Sequence, residues 1–268
     1  MNPTIRSGLS AALFMTACAG AASAQSRLYG VDGANLLELN PATGAVIGTT
    51  AMTGAPGTVG GLAYDANSGT MFLSSTSLDS LWTLNISTGV ATQVGGFGVA
   101  TTVVMHGLEI DDTGQLYGYS TNVADGARFF SINRNTGQAT PISDPGFAGF
   151  GSMGYVAATG TMYISDTVGD QLLTINRTTG VVTPIGLHGF ASQIGVGMAY
   201  DPTFGMLAVN NSGTDALYSL NLSTGAATLI SNLTSGNMLS LAFVPIPAPG
   251  TIVLLGVAGM FASRRRWA

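Results

Sequence analysis

The sequence predicts an all-β chain folded as a five-bladed β-propeller, and three observations carry that reading. A five-residue phrase, Asn-x-x-Thr-Gly, returns five times, at Asn40–Gly44, Asn85–Gly89, Asn133–Gly137, Asn176–Gly180 and Asn221–Gly225. Successive copies are 45, 48, 43 and 45 residues apart, the length of one four-stranded blade. Between copies lie short apolar runs bounded by Gly, Asn and Ser, with no sustained 3.6-residue period in the body.

The phrase is a hairpin turn. An Asn side chain accepts from backbone N–H groups two and three residues on, and the closing Gly supplies a positive φ next to a bulge. Asn85, Asn176 and Asn221 also match the glycosylation pattern, but the turn accounts for all five copies and glycosylation for three.

Four strands per unit, a to d, surround this turn. Strand a reads Gly61–Tyr64, Gly107–Ile110, Gly154–Tyr155, Gly197–Tyr200 and Leu241–Phe243. Strand b reads Leu28–Val31, Met71–Leu73, Leu116–Tyr119, Met162–Ile164 and Leu207–Val209. Strand c precedes each Asn, at Leu36–Leu39, Leu81–Leu84, Phe129–Ile132, Leu172–Ile175 and Leu217–Leu220, and d follows each Gly, as in Val181–Ile185. The first copy lacks a, while the chain finishes on a lone a-type strand at Ser240–Val244. That strand is expected to complete the first blade, closing the ring and removing open edges. A superhelical β array is the alternative that a repeat period also fits.

The ends read as addresses. Residues 1–24 carry one early charge, Arg6, an apolar stretch over Leu9–Ala21 and the small-residue close Ala22-Ser23-Ala24, so a signal peptide cleaved before Gln25 is expected. A lipoprotein signal at Cys18 is the competing reading. Cys18 is the chain's one cysteine, so the mature chain would hold neither disulfides nor thiolate metal sites. The domain plan is therefore 1–24 signal, 25–244 propeller and 245–268 tail.

The tail contains Pro245, Pro247, Pro249 and Gly250, an apolar run over Ile252–Ala262, then Arg264, Arg265 and Arg266. It resembles the PEP-CTERM sorting signal of exported Gram-negative proteins, with Ala248 where the commonest form has Glu. The resemblance covers about the last two dozen residues. It implies transient anchoring in the inner membrane and processing by an exosortase-type peptidase, which releases the body to the cell surface or beyond. The arginines would stay inside, as the positive-inside rule requires, and the run is short for a permanent span. A simple C-terminal transmembrane anchor is the alternative.

Without its ends the body has four arginines, no lysine and thirteen carboxylates, a formal charge of −9. Phosphate-driven nucleic-acid binding is excluded by that balance. An aspartate stands in each b–c loop: Asp32, Asp79, Asp125, Asp166 with Asp170, and Asp215. A ring of carboxylates on one face would suit a weak Ca²⁺ site. The plainer expectation is that Asp beside Gly or Ser makes turns, which Asp32-Gly33 and Asp125-Gly126 favour.

Glu109 is the unusual residue of the innermost strand, where its counterparts are Ala63, Gly154, Ala199 and Ala242. With His106 and Asp111 near in sequence, it is the candidate for a site lining the central channel. Otherwise the chain lacks a Gly-x-Ser-x-Gly elbow, a His-Glu-x-x-His helix and a phosphate loop, so no catalytic residue is assigned. Tyr64, Tyr155, Tyr200 and Phe243 share one repeat position and read as inter-blade packing. Phe97, Phe147, Phe150 and Phe190 sit in Gly-rich d–a loops, either exposed to stack on sugars or grip a protein, or folded inward as a cap. The expected function is a secreted or surface-displayed binding or structural propeller, with a polysaccharide or protein ligand on the loop face. A Ca²⁺-dependent propeller hydrolase or lactonase is the alternative.

Overall fold

A computed structural model describes residues 26–246, apart from 101, 148, 150, 190–193, 211–214 and 235–237. The signal-cleavage residues Ala22, Ala24 and Gln25 lie outside the described residues. So do Pro247, Pro249, Gly250 and Arg264 to Arg266 of the tail; Pro245 is inside.

Ser26–Ile246 make one compact unit of five antiparallel four-stranded sheets. Blade 1 starts with β1 (Ser26–Asp32), β2 (Asn35–Leu39) and β3 (Val46–Ala51). Blade 2 is β4 (Val59–Asp65), β5 (Thr70–Ser75), β6 (Ser80–Leu84) and β7 (Ala91–Gly96). Blade 3 is β8 (Met105–Ile110), β9 (Leu116–Ala124), β10 (Ala127–Ile132) and β11 (Ala139–Ser143). Blade 4 is β12 (Met153–Val156), β13 (Thr161–Asp166), β14 (Gln171–Ile175) and β15 (Val182–Leu187). Blade 5 is β16 (Ile194–Asp201), β17 (Gly205–Asn210), β18 (Ala216–Leu220) and β19 (Ala227–Asn232). The last strand, β20 (Met238–Pro245), pairs with β1 from Ser26↔Pro245 to Asp32↔Met238 and so completes blade 1.

The innermost strands β20, β4, β8, β12 and β16 pack side by side around the axis and return to β20. Small residues permit this approach. A Cβ on Gly61 would meet the His106 carbonyl at 2.7 Å and Leu108 at the same distance, so the a-strand glycines are a packing requirement. Buried Leu, Val, Ile, Met and aromatic side chains from strands a, b and c fill the wedges between blades, with Leu28, Leu73, Leu116 and Ile164 wholly inaccessible. The d strands are half exposed, as outer strands should be.

Each Asn-x-x-Thr-Gly phrase forms the c–d turn its composition predicts. Asn85 Oδ1 accepts from the backbone N–H groups of Ser87 and Thr88 at 3.0 Å, and Asn176 does the same with Thr178 and Thr179. The closing glycines adopt φ between 68° and 80°. At Gly137 a side chain would also strike the backbone of Gly95 in the preceding blade, so this glycine serves both turn and blade interface.

Candidate functional site

Strand alternation sorts the turns onto two faces. The b–c turns and d–a loops share one face, and the a–b and c–d turns share the other. On the b–c/d–a face, the described aspartates engage their own turns and loops. Asp79, at φ 46°, accepts from Val103 N–H at 3.1 Å, and Asp125, at φ 52°, accepts from Ala100 N–H at 3.2 Å. Asp215 takes Met238 N–H at 2.8 Å, Asp166 takes Val168 N–H at 2.9 Å and Gln171 Nε2 at 3.1 Å, and Asp32 takes Asn35 Nδ2 at 3.1 Å. Asp170 supplies the positive φ (47°) of its turn. The predicted carboxylate ring is thus a set of turn and loop anchors that point along the backbone rather than toward a common centre. Among the described residues, no group of three or more His, Cys, Asp or Glu is placed to hold a metal ion. Phe97 is fully buried and Phe147 stacks on Tyr119 at 4.9 Å, so these loop aromatics fold inward. Phe150 and Phe190 lie outside the described residues.

The opposite end of the axis is open. A cavity of about 430 Å³ occupies the mouth of the channel on the a–b face, and all five innermost strands line it. Strand register explains its composition. Ala63↔Phe72, Glu109↔Tyr117, Gly154↔Tyr163, Ala199↔Leu207 and Ala242↔Tyr29 are equivalent pairs, so Glu109 does stand among four small residues. One residue further out come Tyr64, Ile110, Tyr155, Tyr200 and Phe243. The four aromatics keep part of their surface accessible. Packing between blades, as predicted, is therefore half their role; they also wall the mouth.

Glu109 forms part of the inner wall. Its Oε1 accepts from Ile110 N–H at 2.9 Å and its Oε2 from Tyr155 N–H at 3.2 Å, tying blade 3 to blade 4. The carboxyl is ringed by protein yet opens onto the cavity. Burial pushes its pKa up to about 8, outweighing the two backbone bonds, and the Asp111 charge adds to the rise.

Asp111 and Asp65 are equivalent residues at the ends of their a-strands, and each is buried and ion-paired to the next blade. Arg134 meets Asp65 at 2.6 Å, and Arg177 meets Asp111. Burial alone would raise both carboxyls. Bonds from Ser68 and Asn67, or from Thr113 and Gln115, together with the arginines, hold them below their ordinary value. Arg177 also lies 4.9 Å from the Tyr155 ring centre, and Tyr155 donates its hydroxyl to Asp112 at 2.7 Å.

His106 does not belong to this mouth. It sits at the bulge between Met105 and Gly107 and lines a separate space of only about 10 Å³ with Ser152 and Ser240. Burial lowers its pKa to about 4, so it is neutral at physiological pH. The predicted grouping of Glu109, His106 and Asp111 is therefore divided: Glu109 and Asp111 line the mouth, and His106 packs deeper in the axis. His188 is also buried, between Ser165 Oγ at 3.1 Å and the Gly225 carbonyl at 3.0 Å.

Sequence reasoning missed the two inter-blade ion pairs, although their signal is present in the repeat. The residue after each turn Asn is Pro41, Ile86, Arg134, Arg177 or Leu222. Its neighbour is the a-strand end of the preceding blade, respectively Asp201, Val244, Asp65, Asp111 or Val156. Arginine meets aspartate twice; Ile86 shares a core cluster with Val244 and Leu222 one with Val156.

No protein-family model matches the chain. No curated protein matches it either. Solved structures do match in fold. A chain of a nidogen/laminin complex superposes with a TM-score of 0.59 at 11% identity, covering 82% of this chain and 98% of that one. A structural-genomics protein of unknown function from Bacteroides thetaiotaomicron gives 0.56 at 15% identity, over 82% of this chain but 61% of the other. Virginiamycin B lyase from Staphylococcus aureus gives 0.48 at 13%, with 81% and 64% covered. At such identities the likeness establishes the propeller fold alone.

Proposed function

We propose that this chain is an exported, non-catalytic binding propeller of the cell surface or extracellular matrix, and that it takes its ligand at the a–b mouth of its channel. The observation that carries this reading is the open cavity of about 430 Å³ walled by four part-exposed aromatics, a volume in the range of small-ligand sites. On the b–c/d–a loop face, where sequence reasoning put the ligand, the described aspartates bond to their own turns and loops, and Phe97 and Phe147 turn inward. Export rests on the signal-like residues 1–24 and on the resemblance of the tail to PEP-CTERM signals, with an exosortase-type peptidase as processing partner. A Ca²⁺-dependent hydrolase is less well supported, because Asp65 and Asp111, the buried carboxylates nearest Glu109, are already neutralised by arginines.

The test is binding of the purified chain to a panel of neutral, acidic and amine-bearing oligosaccharides, with Tyr200→Ala as control. Retention of at least one sugar, weakened roughly tenfold by Tyr200→Ala, is expected from the loss of one stacking face. Binding that survives Tyr200→Ala and Tyr64→Ala unchanged would move the site elsewhere.

A further inference from the structure

Resting on that reading of the mouth, we infer that its ligand is an amino sugar with a free ammonium group, a unit of a cationic polysaccharide. The walls offer two kinds of contact. The rings of Tyr64, Tyr155, Tyr200 and Phe243 line the mouth; Arg177 already lies over Tyr155 and Phe204 stacks on Phe243, which leaves Tyr64 and Tyr200 as the rings suited to sugar C–H surfaces and cations. One layer inward the channel is Ala or Gly on four blades, so the carboxyl of Glu109 is the one ionisable group of that layer.

The charges select the sign of the ligand. Arg134 pairs with Asp65 and Arg177 with Asp111, and neither arginine is among the residues that line the cavity. Asp112, 56% exposed, lies 3.8 Å from Arg177 and accepts the Tyr155 hydroxyl at 2.7 Å, and the rest of its carboxylate faces water. The rim thus carries three aspartates against two arginines before Glu109 is counted, on a body without lysine. Uronates, sulfates and phosphates are repelled by that field, while an ammonium is drawn in. A concave cavity of about 430 Å³ matches small-ligand sites, which favours a sugar unit as its occupant.

Glu109 then couples binding to proton release. The charge that acts on it is Asp111; Asp65, Asp112, Tyr64, Tyr155 and Tyr200 line the same cavity, and Arg134 and Arg177 stand behind as the partners of Asp65 and Asp111. Its carboxyl is largely protonated at neutral pH, because burial raises it to about 8. An ammonium in the mouth supplies the opposite charge that burial withholds, so the proton leaves Glu109 for solvent as the ligand enters.

The experiment is isothermal titration of the purified chain with a β-1,4-linked glucosamine trimer and with its fully N-acetylated counterpart. It is run near pH 6.5 in two buffers of different ionisation enthalpy. The amine form is expected to bind roughly tenfold or more tightly than the acetylated form, as a desolvated cation–π and carboxylate contact implies. Glu109→Gln should lower affinity for the amine form far more than for the acetylated form and reduce the protons released. Asp112→Asn, at an exposed position, should weaken the amine form without affecting folding. Equal affinity for the two trimers, or amine binding indifferent to both variants, overturns the inference while leaving the mouth a sugar site. Failure of the folded chain to bind either trimer overturns it as well. So does competition at the mouth by a lysine-rich peptide that the amine trimer cannot match, which points to a protein partner instead.

Discussion

At the scale of single residues, Glu109 shows how one side chain departs from a repeat. Four blades keep Ala or Gly at its position because five strands crowd the axis; the fifth carries a carboxyl that bridges to the Tyr155 N–H and opens onto the mouth. Below about pH 4.5 this group is protonated both folded and unfolded. Between there and about 8 the unfolded chain releases the proton and the folded chain keeps it, so stability falls as pH rises through that window. Glu109→Gln, always neutral, should lack the fall. The difference in melting temperature, wild type minus variant, should therefore drop by a few degrees from about pH 5 to about pH 8.5, since 1 kcal/mol is roughly 2–4 °C in a domain of this size. A flat difference would mean that the carboxyl is well hydrated or paired. His106 acts in the opposite sense, stabilising above pH 6.5 and losing that contribution as pH falls toward about 4, but it is common to both proteins and cancels. The loop aspartates give a second residue-scale prediction. Because they bond to backbone rather than converge, neither EDTA nor millimolar Ca²⁺ should move the melting temperature. A Ca²⁺-dependent rise would show a site that the described residues do not form.

At the scale of elements, the blades are joined by more than apolar wedges. The guanidinium of Arg177 reaches from the c–d turn of blade 4 to the end of β8's blade at Asp111, a carboxylate that is only 3% exposed. Arg177→Leu should cost about 2–3 kcal/mol, below the fullest cost of breaking a buried pair because the arginine keeps a quarter of its surface in water. Adding Asp111→Val copies the Val156/Leu222 arrangement of the next interface and should recover part of that loss in a double-mutant cycle from urea unfolding. Recovery is partial because Asp111 also accepts from the Thr113 and Gln115 N–H groups that shape its turn. If the double variant were no more stable than the single, charge and apolar pairs would not be interchangeable solutions of one interface. The c-strands were legible in sequence to within a residue or two, Leu81–Leu84 and Leu172–Ile175 being Ser80–Leu84 and Gln171–Ile175, whereas the b-strand expected to end at Tyr119 runs on to Ala124. The ion pairs were not legible, because their partners come from different repeats about 70 residues apart and only strand register brings them together.

At the scale of the whole molecule, β20 is the element that turns a row of blades into a ring. It pairs with β1 over its whole length and packs against β4 and β16 on either side. A chain ending before Met238 should lose cooperative unfolding and aggregate, since both the edge of β1 and the flanks of β4 and β16 are then uncovered. A permutant that places Met238–Pro245 ahead of Ser26 keeps every strand pair and should melt within a few degrees of the intact body by circular dichroism. Failure of that permutant, with the truncated chain still folding, would mean that closure is dispensable and that each blade is stable with its neighbours alone.

Local chemistry determined much of this protein. Asn and Gly at five spaced turns set the hairpins, apolar alternation set the strands, and the missing first a-strand with its spare copy at the end set the closure. Those features depend on residues close in sequence or on a period, and both are visible in a single chain. The tertiary structure alone decided that the a–b end of the axis holds a cavity walled by aromatic side chains. Asp79, Asp125 and Asp215 could as well have turned toward a cation; they turn toward backbone N–H groups because the d–a connection beside each blade brings Val103, Ala100 and Met238 next to them. Tyr64, Tyr155, Tyr200 and Phe243 read as packing residues in one repeat, and become the wall of a cavity only when five copies are arranged around an axis. Burial, register and the meeting of repeats are properties of the closed ring, and so is the mouth that they create.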